Sequence, residues 1–286
     1  MTHRLLGKLP RPIFGIGHSM GGTQLMSASL MHPRLFQGLC VIEPVVFPYS
    51  AKNQGRYPPA QMSMRRREEF ASLEAAISQF RVNSTFHKWD ARALHMWIKY
   101  GLRPAPGDST GKVVLTTTKS QELFSFVRPT FLTKFPADRR LAFPDLPRKA
   151  PADTLFYRPE PVITFHCLPH LRPSILYVFG SHSQFMSRLM RDSIARKTGI
   201  GIGGSGGLIK RRVKHITMRD TGHFAPMEDP RNLAENIASW LKAEVDQWAY
   251  LERSTQLEHQ EQDYQDFLSS LAGQRAEKSA ARVRKL

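Results

Sequence analysis

Apolar positions fall into short unbroken runs in the outer parts of this chain. "IFGIG" at 13–17, "FQGLCVIEPVVF" at 36–47 and "SILYVFG" at 174–180 have the length and composition of strands buried on both faces, and "RVKHITM" at 212–218 is a fourth candidate. Between the first two, "GGTQLMSASLMHP" reads as a helix that stops ahead of Pro33, while Pro44 and Pro48 close the second run. Strand, helix, strand in this order predicts a parallel sheet with right-handed crossovers, and so an α/β fold.

From 51 to 165 the alternation of strand and helix is lost. Helical stretches such as "MRRREEFASLEAAISQF" and "DARALHMWIKYGL" are broken by prolines and polar loops, which predicts a mostly helical cap inserted over the sheet. The expected organisation is therefore a first part of the core at 1–50, the cap at 51–165, a second part of the core at 166–250 and a polar tail at 251–286. An amphipathic helix is expected from about Pro230 to Tyr250. The tail has helical propensity but a weak apolar stripe, as a solvated helix or a frayed end would. "TGIGIGGSGG" at 198–207 is not read as a phosphate loop, because it leads into a strand and not a helix; a flexible loop is expected.

Composition narrows the picture. At 286 residues and 41% hydrophobic content the chain can bury a sizeable core; no apolar run approaches the roughly 18 residues that span a bilayer, and "MTHRLLGKLPRP" lacks a signal-peptide core. Cys40 and Cys167 have neither disulfide-framework nor metal-ligand spacing, and no motif for a metal or cofactor stands out. Cys40, within an apolar run, is expected as a buried free thiol. The outlier is charge: 41 Lys+Arg against 24 Asp+Glu, a net +17. The cations are scattered, with no basic-aromatic platform, which disfavours nucleic acid and fits a general pull on anionic substrates or surfaces.

The chemistry concentrates in two motifs. Gly17-His18-Ser19-Met20-Gly21 fits G-x-S-x-G, a strained strand-to-helix turn that exposes a serine, with glycines where a side chain at 17 or 21 would collide with its surroundings. A serine hydroxyl needs a base and a carboxylate to orient that base. "DTGHFAPMEDP" puts His223 in a loop just after the last strand. His18 and His182 are weaker candidates, read as packing or loop residues. The usual place for the acid, after the strand at 174–180, reads "GSHSQ" and holds none. Glu43 closes the strand "LCVIEP", at the sheet end where catalytic groups collect. Two roles stand for it: the orienting acid, or a carboxylate capping the turn before Pro44.

"GIGHSMGG", "HPRLFQGLCVIEPV" and "DTGHFAPMEDP" together resemble the α/β-hydrolase superfamily, and are similar to a fungal group that includes host-selective-toxin biosynthesis proteins and a yeast peroxisomal lipase. The resemblance implies a serine hydrolase that cleaves a small acyl ester or thioester through an acyl-enzyme, with Ser19 as nucleophile, His223 as base and Glu43 as acid. It places the acid where haloalkane dehalogenases carry theirs, whereas Ser19 argues against dehalogenase or epoxide-hydrolase chemistry. In that superfamily about four strands precede the elbow, and a loop among them supplies one oxyanion donor. Only twelve residues precede the first strand's core here, which leads to the expectation that the first part of the domain is missing and that Met20 N–H is the visible donor. An inactive fragment and a basic binding protein are the competing readings. Arg284-Lys285-Leu286 resembles the Ser-Lys-Leu address, implying a peroxisomal import receptor as partner, with the cytoplasm as the other location.

Overall fold

The four runs lie side by side, and the central two, 38–42 and 174–180, are buried on both faces. The computed structural model describes residues 9–48, 58–126, 159–258 and 269–270. Its elements are β1 (Phe14–His18), α1 (Met20–Met31), β2 (Gly38–Ile42), α2 (Pro58–Arg65), β3 (Glu69–Phe70), α3 (Leu73–Val82), α4 (Ala91–Gly101), β4 (Leu102–Pro104) and β5 (Val113–Leu115). They continue with α5 (Lys119–Phe126), α6 (Glu160–Cys167), β6 (Ser174–Gly180), α7 (Arg188–Lys197), β7 (Val213–Met218), α8 (Ala225–Glu228) and α9 (Pro230–Glu258).

The larger sheet has the order β1-β2-β6-β7, and all three pairings are parallel. Register places Phe14 opposite Gly38, Gly38 opposite Ser174 and Ile175 opposite Val213. Side chains alternate between two cores, as a sheet covered on both faces requires. Leu39 and Val41 join Ile175, Tyr177 and Phe179 against Met26 of α1 and Ile194 of α7. Cys40 and Ile42 join Leu176 and Val178 against Leu233, Ile237 and Trp240 of α9. Burial pushes the Cys40 thiol up to about 12, so it stays protonated and inert.

The segment 58–126 has its own apolar cluster, built on Phe70, Ala76, Phe80, Phe86, Leu102 and Leu115. Its helices accompany a second, antiparallel sheet of order β3-β5-β4 that the residue pattern does not predict. Strands of two or three residues are shorter than the alternation needed to recognise them. Two other details depart from expectation. Helix α9 runs on to Glu258, past Tyr250. The glycine-rich stretch is fastened, with Gly199 N–H donating to Leu168 O (2.9 Å), Gly201 N–H to Pro169 O (2.8 Å) and Ser205 N–H to Leu171 O (2.9 Å). Arg284-Lys285-Leu286 lies outside the described residues. Among the described residues, no helix is long and apolar enough to cross a membrane.

Candidate active site

Three strand ends supply the site. At the end of β1 the chain turns into α1 through Ser19, whose φ of +55° is a region that non-glycine residues seldom occupy. The turn is held by Ser19 N–H donating to Ile42 O at 2.8 Å, and by the Thr23 hydroxyl donating to Val45 O at 2.9 Å. A Cβ on Gly17 would come within 2.7 Å of the Gly21 backbone, so glycine is required there. A Cβ on Gly21 would meet nothing within 4 Å, which corrects the expectation of a collision at that position: it faces away from the strand.

Glu43 follows β2, also at positive φ (+47°), and its N–H donates to Val178 O at 2.9 Å. Its side chain is almost wholly buried, at 1% exposure. The carboxylate accepts from Gly180 N–H (2.8 Å, Oε1), from the Ser183 hydroxyl (Oε2) and from His223 Nδ1–H (3.3 Å, Oε2). Those three donors compensate a charge that burial alone would penalise.

His223 follows β7. The Nδ1 contact leaves its Nε2 facing Ser19 Oγ at 3.0 Å, where it can accept the hydroxyl proton. The loop is positioned by backbone proximity: a Cβ on Gly180 would lie 2.3 Å from Gly222 O, so β6 and the histidine loop touch only because glycine stands there. Gly222 N–H donates to Glu228 Oε2 at 2.6 Å, and Phe185 and Phe224 pack around the imidazole at centroid distances of 4.5 and 5.4 Å. His18 lies against this loop too. Its Nε2–H donates to His223 O at 2.7 Å, and its ring is 4.9 Å from that of His223. Burial, ahead of its neighbours' effects, lowers the His18 pKa and favours the neutral ring.

The structure thus brings Ser19, His223 and Glu43 into one hydrogen-bonded row, with Met20 opening α1 beside the serine. His182 is exposed and outside the row. Ser183 and Gly180, which hold the carboxylate, were not singled out from the sequence. The signal is a hydroxyl residue in "GSHSQ", the stretch where an acid is the usual occupant. Beside the site, a cavity of about 380 Å³ is lined by Trp89, Met96, Trp97, Tyr100, Leu115 and Met227 among others. None of the three row residues lines it; it adjoins their loop through Met227 and through Trp89, whose ring lies 6.0 Å from that of Phe224.

Comparison with known proteins agrees with the fold. A model described as alpha/beta hydrolase family matches residues 2–236. Type I acyl-CoA thioesterase mpaH of Penicillium roqueforti is 31% identical over 281 residues, covering 88% of this chain and 64% of that protein. The chain therefore spans less than two thirds of that relative's length. Abhydrolase domain-containing protein AKT2 of Alternaria alternata is 28% identical over 82% of this chain and 84% of its own. Among solved structures, the peroxisomal alpha-beta-hydrolase Lpx1 of Saccharomyces cerevisiae aligns with a TM-score of 0.55 at 17% identity, over 80% of this chain and 52% of that one.

Proposed function

The chain belongs to the alpha/beta hydrolase family, with its mostly parallel sheet and flanking helices, and on that premise we propose that it is a serine hydrolase of carboxylic esters or thioesters. The observation that carries the reading is the Ser19–His223–Glu43 row, 3.0 Å and 3.3 Å between successive groups. In the proposed cycle Ser19 Oγ attacks the acyl carbonyl carbon while its proton passes to His223 Nε2. Glu43 keeps the imidazole in the Nδ1–H tautomer and stabilises its charged form. Met20 N–H, at the start of α1, is the proposed donor to the developing oxyanion. The imidazolium then protonates the departing alkoxide or thiolate, leaving an acyl-serine. Water, deprotonated by the same Nε2, releases the carboxylic acid and restores the hydroxyl.

A thioester is the preferred substrate class. The relative from Penicillium roqueforti is named an acyl-CoA thioesterase, and a net charge of +17 favours an anionic carrier. The apolar part of the acyl group is proposed to occupy the Trp89–Trp97 cavity. The test is labelling by a fluorophosphonate probe together with thiol release from a short acyl-CoA. Both are expected from the parent chain and absent from Ser19→Ala; label retained in Ser19→Ala removes the assignment. Peroxisomal import through Arg284-Lys285-Leu286 is carried as a separate proposal, tested by comparing the location of fluorescent fusions with and without those residues.

A further inference from the structure

Among the described residues, the glycine-rich loop between α7 and β7 carries the two most exposed large apolar side chains. Ile202 is 94% exposed, Ile209 90% and Ile200 61%. They do not sit on a slack segment. Besides the bonds to Leu168, Pro169 and Leu171, His170 Nδ1–H donates to Ile202 O at 2.9 Å, Gly206 N–H to Gly199 O at 2.8 Å and Arg212 N–H to Gly207 O at 3.0 Å. Glycines at 199, 203, 206 and 207 take positive φ, the conformation that lets the backbone fold back on itself here. The result is a pinned scaffold that holds isoleucines out in water.

The loop's own sequence carries charge of one sign. Between Asp192 and Asp220 the sequence has no acidic residue and seven basic ones, among them exposed Lys197, Lys210, Arg211 and Lys214. Two of the seven are met by a carboxylate, Arg212 by Glu244 at 3.4 Å and Arg196 by Asp192 at 3.8 Å. Cations alone would suit any polyanion. Exposed apolar tips between cations suit a surface with an anionic face and an apolar layer beneath it.

We propose that this loop docks the protein reversibly on an anionic phospholipid surface, with Ile202 and Ile209 entering the headgroup–acyl boundary and the neighbouring Lys and Arg facing lipid phosphates. The loop lies at the entry to β6 and β7, where Ile175 N–H donates to Arg212 O, whereas Ser19, Glu43 and His223 lie at the strands' exits. Docking therefore leaves the candidate active site facing water, and the proposal stands apart from the proposed hydrolysis.

The test is co-sedimentation of the 286-residue chain with phosphatidylcholine vesicles, with and without phosphatidylserine. Binding is expected only where phosphatidylserine is present, and it falls as salt rises. Ile202→Ser with Ile209→Ser should weaken it at least tenfold with an unchanged far-ultraviolet spectrum. Lys210→Glu with Lys214→Glu should weaken it by about fivefold or more per charge. An Ile202→Trp chain should show a blue-shifted difference emission on adding the same vesicles. Vesicle binding that ignores the isoleucine substitutions, or an unshifted Ile202→Trp emission, overturns the proposal. So does tight binding of a duplex DNA oligonucleotide without vesicle binding, which would assign the cations to nucleic acid.

Discussion

Glu43 has almost no contact with water, and three donors converge on its side-chain oxygens. Glu43→Gln keeps the shape and removes the charge that stabilises an imidazolium. We expect kcat to fall by about 1,000 to 10,000-fold with KM little changed, read by steady-state thiol release. Ser183→Ala removes one donor and leaves the charge. A fall in kcat of about tenfold is expected, and an unaltered kcat would mean that Gly180 N–H and His223 Nδ1–H hold the group without it. His18 supplies a pH signature. Its folded pKa lies below the ordinary 6.5, so the unfolded chain binds the extra proton first. This contribution is complete above about pH 6.5 and is lost as pH falls toward the lowered value, so Tm should drop between pH 7 and pH 5. His18→Gln should flatten that drop. Ser19, Glu43 and His223 were legible in the sequence because each closes or follows an apolar run. Ser183 was not, because hydroxyl residues are common in loops and only the partner makes this one informative.

At the scale of elements the sheet was legible for a simple reason: strands covered on both faces are continuous apolar runs, and "LCVI" and "ILYVF" have no polar interruption. The small sheet of β3, β4 and β5 was illegible because its strands hold no full alternation, and its stability comes from packing on Phe80 and Phe86. The elbow separates its glycines by role. Gly17→Ala pushes a methyl into the Gly21 backbone and should cost on the order of 3 kcal/mol. Gly21→Ala enters open space within a helix and should gain up to about 1 kcal/mol. Denaturant unfolding of the pair measures both, and equal losses would mean that the elbow is not built as described.

Across the whole molecule the excess of 41 basic over 24 acidic residues was plain from composition, but its target was not, since scattered cations have no pattern until the surface is known. If the field gathers anionic thioesters, kcat/KM for an acyl-CoA should fall several-fold as salt rises from about 0.05 to 0.5 M, because screening shortens the reach of charge to a few ångströms. A neutral p-nitrophenyl ester should be indifferent to the same change. Parallel losses for both would point to salt acting on the fold.

The hydrogen bonds Ser19 N–H to Ile42 O, Glu43 N–H to Val178 O and Ser181 N–H to Met218 O repeat one step from strand to strand. Each strand end is thereby clipped to its neighbour one residue beyond the sheet. The distances between serine, carboxylate and imidazole are inherited from strand spacing, while the segment 58–126 is built on a separate apolar nucleus. Changes in what the molecule grips can accumulate in that segment without detuning the geometry through which protons would pass.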